Sequence, residues 1–173
     1  NSFQPEHPGT TISKHPQHGP YYVKGLTSIQ DIALITISGT GMIGVPGIAE
    51  RMFHALAQER INILFITQSS SEHSICFAVT RADAGKAQHA IEQAYEFELA
   101  SSKIDPVHIE FDLGLVAVVG DGMRERSGVA GKIFSLLGEN GINIRAIAQG
   151  STERNVSCVI NQRGRNGRIF TFQ

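Results

Sequence analysis

The feature that most constrains the fold is an internal repeat, in which the chain matches itself at an offset of 81 residues. Residues 35–79 align with residues 116–160 without a gap, and 14 of the 45 paired positions are identical. The identical pairs include Gly39/Gly120, Gly41/Gly122, Asn62/Asn143, Gln68/Gln149 and Glu72/Glu153. An ungapped repeat of this length indicates two copies of one supersecondary unit, arranged in tandem.

Each copy reads as a succession of strands and helices. In the first, the β-rich run DIALITISG precedes VPGIAERMFHALAQER, in which apolar residues recur at helical spacing. The runs INILFITQ and SICFAVT flank a polar turn and predict a hairpin. A second helical segment, ADAGKAQHAIEQAYEFELA, and the strand PVHIEFD follow. This order predicts an α+β fold with two ferredoxin-like (βαββαβ) domains, each an antiparallel sheet with its helices on one face.

Repeat and composition divide the chain into three predicted parts. Residues 1–27 are rich in Pro, Gly and His and read as a linker, residues 28–112 form the first domain, and residues 113–173 form the second. The segment after VSCVIN is too short for a second helix like that of the first copy, so the second domain is predicted to be atypical or truncated. Its run RIFTF is either a last strand or a disordered end. Because residue 1 is Asn rather than Met, we expect a piece of a longer protein.

Charge and cysteine usage narrow the class of protein. With a net charge of −1, the chain lacks the electrostatic signature of a nucleic-acid or anionic-membrane binder. No apolar run is long enough to predict a membrane span. Cys76 and Cys158 lie in apolar strand-like runs and are interpreted as buried free thiols, which predicts a reducing, cytoplasmic location.

The motif GTGMIG, from Gly39 to Gly44, matches the G-x-G-x-x-G pattern of dinucleotide-binding loops. The second copy, GDGMRE, loses the third glycine, and the strand after the helix ends in Gln68 where such folds carry an acidic residue for the ribose. A hairpin also follows where a parallel sheet needs another crossover. We therefore favour a loop whose backbone N–H groups hold the carboxylate of a small ligand, with a plain glycine-rich turn as the alternative.

An Asn and a Gln recur together in the runs NILFITQS and NIRAIAQG. Alternation along a strand predicts that Asn62, Leu64, Ile66 and Gln68 share one face. Asn62 is then expected near the glycine loop, within reach of a ligand. Gln68 is expected at the far end, where it serves a ligand in a neighbouring domain or an inter-domain contact. Amides that only cap strand ends are the alternative. The repetition of both amides together with the glycines favours binding.

Residues that could carry catalysis or hold a metal are not grouped in any pattern. The sequence shows no Ser/His/Asp or Cys/His set, no P-loop and no paired carboxylates on one predicted element. His7, His15 and His18 are irregularly spaced and have no thiols near them, so they predict no zinc site. The chain is therefore expected to be non-catalytic and to hold neither metal nor cofactor.

Three segments together resemble the tandem ACT-domain regulatory region of aspartokinases. They are VKGLTSIQDIALITISGTGMIGVPGIAERMF, ITQSSSEHSICFAV, and VVGDGMRERSGVAGKIF with INIRAIAQGSTERNVSCVIN. The resemblance is strongest to the threonine-sensitive form that is fused to homoserine dehydrogenase. It extends over residues 1–161, since NSFQPEHPGTTI resembles the end of the kinase domain.

The resemblance implies a parent enzyme that phosphorylates L-aspartate with ATP and Mg²⁺. In the fused form, a further domain reduces aspartate semialdehyde with NAD(P)H. Those sites would lie before and after this chain, which resembles the feedback sensor. Family ACT units also pair into continuous sheets, within or between chains, so that strands of one repeat can complete the sheet of the other. Self-association through these units is therefore expected.

The resemblance also implies which residues contact the effector. The first copy supplies the loop residues Met42, Gly44, Val45, Pro46 and Gly47 and the strand residues Asn62, Ile66 and Gln68, and the second supplies Arg124, Gly128, Asn143 and Gln149. The second loop lacks the proline of the first, so the two pockets are expected to differ. L-threonine is the expected effector. A lysine sensor of a monofunctional aspartokinase and a dimerisation module without a ligand are the alternatives.

Overall fold

A computed structural model describes residues 5–6 and 21–162. Most of the predicted linker and the predicted RIFTF segment lie outside the described residues. The elements of the first copy are β1 (Gly25–Ser38), α1 (Ile48–Gln58), β2 (Phe65–Gln68), β3 (Ser74–Thr80), α2 (Ala84–Ala94) and α3 (Glu96–Ala100). They are followed by β4 (His108–Val119), α4 (Val129–Glu139), β5 (Ile144–Gln149) and β6 (Asn155–Asn161).

The six strands form one continuous antiparallel sheet in the order β2-β3-β1-β4-β6-β5. The predicted α+β fold with antiparallel strands is thus confirmed, and the two half-sheets of the repeat are joined through β1 and β4. The sequence distinguishes the halves because each contains its own strand–helix–hairpin unit. The two half-sheets are joined because β1 and β4 are long enough to take part in both of them.

Strands β1 and β4 each belong to both halves. The first part of β1 pairs with the second part of β4, so that Gly25 lies opposite Val119 and Ile29 opposite Leu115. The second part of β1 then pairs with β3 on its other side. The second copy therefore takes its fourth strand from the N-terminal segment. The domain bounds 28–112 and 113–173 follow the sequence repeat and stay a prediction, while the strand pairing crosses them.

Two aspartates mark the places where the long strands pass from one half to the other. Asp31 and Asp112 have φ of 53° and 58°, and the β1–β4 register shifts between Ile29 and Ile32. They are 81 positions apart and occupy the same place in the two copies. Asp tolerates this left-handed conformation better than most residues, because its short side chain can bond the backbone locally. The irregularity at each aspartate lies where the long strand passes from its pairing in one half to its pairing in the other.

The apolar core has three parts. Beneath the helices of the first copy, Ile35, Ile37 and Phe77 pack against Met52 and Leu56 of α1. The corresponding cluster of the second copy is smaller and includes the N-terminal segment, with Tyr22 and Val23 packed against it. A third cluster fills the other face of the sheet, where residues of both halves meet, among them Leu34, Phe65, Leu115 and Val159. The helices therefore lie on one face, as predicted.

Hydropathy gives a separate result. Within the described part of the chain, no helix combines the length and the apolar character that crossing a bilayer requires.

Candidate functional site

Two open cavities lie at equivalent places in the two copies, where a glycine-containing loop leads from a long strand into a helix. The first, of about 320 Å³, is lined by Met42 and residues 44–49 and by Gln68, Glu72 and Ile75. The second, of about 350 Å³, is lined by Met123 and residues 125–131 and by Gln149 and Glu153. In each case the loop forms one wall and the hairpin of the next two strands forms the other.

The glutamines are the strand residues that the fold brings to these cavities. Gln68 is the last residue of β2 and lies opposite Ile75 of β3, which belongs to the core beneath the helices. Gln149 ends β5 and lies opposite Val156, in the corresponding core of the second copy. Because strand partners share a face, both amides lie on the helix side of the sheet, beside the loop. The two predicted glutamines are thus placed in the cavities.

The asparagines lie elsewhere, and the predicted common face of residues 62–68 is wrong. Strand β2 begins only at Phe65, and Leu64 packs with Phe65 on the sheet face away from the helices. The alternation of side chains between the two sheet faces therefore does not extend to residues 62–64, which precede the paired residues of β2. Asn62 is at the opposite end of β2 from the loop, and neither Asn62 nor Asn143 is among the lining residues of the two cavities. The expected positions of Asn62 and Gln68 are reversed, because β2 runs parallel to β1 and reaches the loop with its C-terminal end.

The other predicted contact residues divide in the same way. Met42, Gly44, Val45, Pro46 and Gly47 line the first cavity, and Gly128 lines the second. Two predicted contacts are not among the lining residues. Ile66 is on the helix side of β2 but is 44% exposed beyond the cavity. Arg124 is directed outward and its Nε lies 3.2 Å from Oε1 of Glu125.

Two glutamates that the sequence interpretation missed connect the hairpin turn to the loop. The N–H of Gly44 donates to Oε2 of Glu72 at 3.0 Å, and the N–H of Glu125 donates to Oε2 of Glu153 at 2.7 Å. Both turn glutamates have positive φ, at 57° and 55°. The sequence could have indicated their importance, because the same residue type, Glu, occupies the equivalent position of both copies. Each cavity thus has a carboxylate on its hairpin side.

The first two glycines of each motif have a packing role. A Cβ on Gly39 would be 2.4 Å from the carbonyl oxygen of Lys103, and one on Gly120 would be 2.1 Å from that of Tyr22. In each copy, the segment that leads into a neighbouring long strand crosses the loop at this point. The N–H of Gly41 also donates to the Lys103 carbonyl at 2.8 Å. These glycines permit close approach of two backbones, which accounts for them without a dinucleotide.

The helix that follows each loop leaves donors at the cavity. Gly47 and Gly128 precede α1 and α4 with φ of 88° and 85°, and among the described residues no side chain caps either helix. The N–H groups of a helix's first turn have no partner within the helix and carry a partial positive charge. The expected carboxylate site therefore lies at the first turn, since the N–H groups of Gly41 and Gly44 are bonded to protein acceptors.

A polar cluster around the buried Tyr95 contacts α1, whose first residue, Ile48, lines the first cavity. The hydroxyl of Tyr95 donates to the carbonyl of Ile48 in α1, and the Arg51 guanidinium lies 4.3 Å from the Tyr95 ring centre and pairs with Glu98. Burial raises the pKa of the Tyr95 hydroxyl. The hydrogen bond from Arg51 lowers the pKa of the Glu98 carboxyl. This cluster fixes the start of α1 and hence the wall of the cavity.

The groups that line the cavities are those that a free amino acid could bind. Among the described residues, no group of three or more His, Cys, Asp or Glu side chains is placed to hold a metal ion. Each cavity instead combines helix N–H donors, a neutral amide and one carboxylate from the hairpin. A zwitterion with an α-carboxylate and an α-ammonium group matches that set.

Sequence comparison agrees with this geometry. The family model of the ACT domain matches residues 35–95 and 116–164, which are the two copies of the repeat. The chain belongs to the ACT-domain family. Both ACT units contain a cavity at the loop between the first strand and the first helix.

The relatives and solved structures that resemble this chain are aspartokinases or their regulatory subunits. The chain is 40% identical over 162 residues to the bifunctional aspartokinase/homoserine dehydrogenase of Haemophilus influenzae, a match covering 94% of this chain and 20% of the relative. The aspartate kinase of Clostridium acetobutylicum superposes with a TM-score of 0.79 at 26% identity, over 93% of this chain and 36% of that one. The regulatory subunit of aspartate kinase from Thermus flavus superposes with a TM-score of 0.68 at 28% identity, over 82% and 90%. The ACT pair is therefore an aspartokinase-type regulatory region.

The relatives are much longer than this chain. The chain spans about one fifth of the length of the first curated relatives that it matches, at 20% and 18%.

Proposed function

We propose that this ACT region senses L-threonine and transmits feedback inhibition to an aspartokinase. The observation that supports the proposal is the repeated cavity, in which a glutamine, a hairpin glutamate and an uncapped helix start converge twice. Relatives of the bifunctional class favour threonine over lysine as the effector. The volume of each cavity, about 320 and 350 Å³, is suited to one free amino acid.

The groups around the first cavity suggest how threonine would bind. Its carboxylate would lie at the first turn of α1, where N–H groups and the helix dipole favour an anion. Its ammonium group would face the carboxylate of Glu72, and its hydroxyl the amide of Gln68. Val45 and Ile75 would contact the methyl group. A ligand of this kind engages the loop and the hairpin together, so that binding would fix their relative position.

The whole protein's activity belongs to the same proposal. The parent would transfer a phosphoryl group from ATP, with Mg²⁺, to L-aspartate, and in a fused form would also use NAD(P)H. This chain itself would be non-catalytic and free of cofactors. It would be cytoplasmic and would associate through its ACT units with a second copy. A ligand shifts such an assembly only by its difference in affinity between two states, typically about 1–3 kcal/mol.

Calorimetric titration of the chain with L-threonine and L-lysine tests the proposal. We expect saturable binding of threonine, loss of one site in Gln68→Ala and loss of the other in Gln149→Ala. Asn62→Ala and Asn143→Ala are matched amide controls and should keep both sites, because neither asparagine lines a cavity.

Each alternative function has its own outcome. Saturable binding of lysine without threonine would indicate a lysine sensor of a monofunctional aspartokinase. An intact dimer that binds neither amino acid would indicate a dimerisation module. Threonine binding that both asparagine variants abolish would contradict the site described above.

A further inference from the structure

Among the lining positions at which the two cavities differ, one gains a positive charge: Val45 of the first loop is replaced by Arg126 in the second. Both residues line their cavities. The replacement introduces a cation with several hydrogen-bond donors beside the start of α4. An arginine there would hold the carboxylate of an amino acid more firmly than the backbone N–H groups alone, because charge-assisted hydrogen bonds are stronger than neutral ones.

Arg126 has no carboxylate partner among the described residues, although two glutamates are close by in the same cavity. Those glutamates are engaged elsewhere: Glu125 pairs with Arg124, and Glu153 accepts from the N–H of Glu125. The Arg126 guanidinium lies instead over the ring of Tyr22, 4.7 Å from its centre. Such a contact at an exposed site is weak, about 0.5–1 kcal/mol. A ligand carboxylate can therefore compete for the guanidinium.

Tyr22 belongs to the segment that joins residues 1–20 to β1. The segment is tightly placed: its backbone passes Gly120 and Gly122, and the N–H of Lys24 donates to the carbonyl of Val119 at 2.8 Å. In the first copy, the corresponding contact to the loop comes from Lys103, which lies in an internal connection. Of the two loops, the second therefore contacts residues 21–24, the described residues that directly precede β1.

We propose that Arg126 couples the second cavity to this N-terminal segment: the guanidinium leaves the Tyr22 ring to bind the ligand's carboxylate, and the contact that holds residues 21–24 is weakened. The inference rests on the proposed amino-acid sensing. It assigns different roles to the two cavities. The second acts directly on the upstream segment, while the first, with Val45 and the Lys103 connection, acts within its own half.

Hydrogen exchange combined with calorimetry tests the coupling. In the Gln68→Ala chain, where L-threonine is expected to occupy only the second cavity, saturation should speed exchange of the Lys24 amide. Adding Arg126→Val, which installs the first cavity's residue, should weaken binding about tenfold, as loss of one charge-assisted hydrogen bond predicts. It should also abolish the exchange response at saturation.

Lys132 provides the matched control. Its ammonium nitrogen lies 6.0 Å from the centre of the same Tyr22 ring, but the residue does not line the second cavity. Lys132→Ala should therefore leave threonine affinity unchanged. An unaltered Lys24 exchange rate in the saturated chain, or the same response in the Arg126→Val chain, would overturn the coupling alone. Absence of any saturable binding would overturn the proposed sensing and this inference with it.

Discussion

At the scale of single residues, Gly120 shows that a motif can be repeated for packing reasons. The pattern that includes Gly39 and Gly41 matches that of dinucleotide-binding loops, and these first two glycines are retained in the second copy. In both copies, however, the space that a side chain would need is filled by the backbone of a crossing segment. Backbone cannot move aside as a flexible side chain can, so these positions favour glycine strongly.

Gly120→Ala should lower the free energy of unfolding by about 1–3 kcal/mol, as overpacking of a tight contact does. The added methyl group would lie 2.1 Å from the Tyr22 carbonyl oxygen. Gly131→Ala, in α4, is the control: a Cβ there would have no neighbouring atom within 4 Å, and alanine favours a helix by up to about 1 kcal/mol. Urea unfolding measures both. Equal stability of Gly120→Ala and the wild type would contradict the packing role.

Cys158 should resist alkylation in the folded chain. The residue is 2% exposed, and burial raises the pKa of its thiol, so that little reactive thiolate forms at neutral pH. Mass spectrometry after treatment with iodoacetamide should find Cys158 unmodified until urea unfolds the protein. Rapid modification of Cys158 under native conditions would show that the second half of the sheet opens readily.

The candidate site was predictable in part from individual residues. The repeat singles out Gln68, whereas loop residues such as Val45 and Pro46 were named only because of the resemblance to a known family. Asn62 was misplaced because β2 runs parallel to β1 and begins at the end of the sheet away from the loop. The predicted common face was wrong because alternation holds only within the ladder, which begins at Phe65. Glu72 was missed because its role depends on a turn that folds back to Gly44, and no local pattern indicates that contact.

At the scale of secondary-structure elements, the long second helical segment is divided by its contacts. The sequence predicts one helix over ADAGKAQHAIEQAYEFELA, whereas the structure has α2 and α3 with Tyr95 between them. Tyr95 is fully buried and donates to a carbonyl of α1. Tertiary packing of this one side chain outweighs the helical preference of the surrounding residues. Helical periodicity predicted the elements but not this break.

Glu98→Gln should reduce stability at neutral pH and have less effect in acid. The folded carboxyl has a lowered pKa because of Arg51, so its contribution is complete above the ordinary value of 4.5 and is lost as the pH falls through the folded value. We expect a loss of about 0.5–1 kcal/mol at pH 7, since the partner is partly exposed. Thermal unfolding between pH 3 and pH 7 measures the difference. A gap that widens in acid would contradict the assignment, and exposed Glu96→Gln is the control.

At the scale of the whole molecule, the two ACT units are not separable along the sequence. The N-terminal part of β1 completes the second half-sheet, and Tyr22 and Val23 pack against that half's core. The repeat identifies two similar units but does not indicate which strand completes the sheet of each unit. That choice depends on the length of β1 and β4 and on the irregular positions at Asp31 and Asp112.

Removing the N-terminal strand should therefore destabilise the distant half of the chain. A variant that begins at residue 31 loses the Gly25–Ile29 pairing and the cover over the second core, and should lose roughly 3 kcal/mol or more. A variant that begins at residue 21 keeps these contacts and is the control. Hydrogen exchange of residues 115–119 should rise only in the shorter variant. Equal protection in both would show that the strand is dispensable.

The shared strands also set an order of events during synthesis. Gly25–Ile29 leaves the ribosome before its partner around Val119, which follows roughly 90 residues later. At about 5–20 residues per second, that delay is on the order of 5–20 seconds. For that time the nascent chain carries an unpaired strand, which is a template for wrong pairing. Translation speed and nascent-chain chaperones should therefore affect the yield of this region more than they would affect two ACT units folding one after the other.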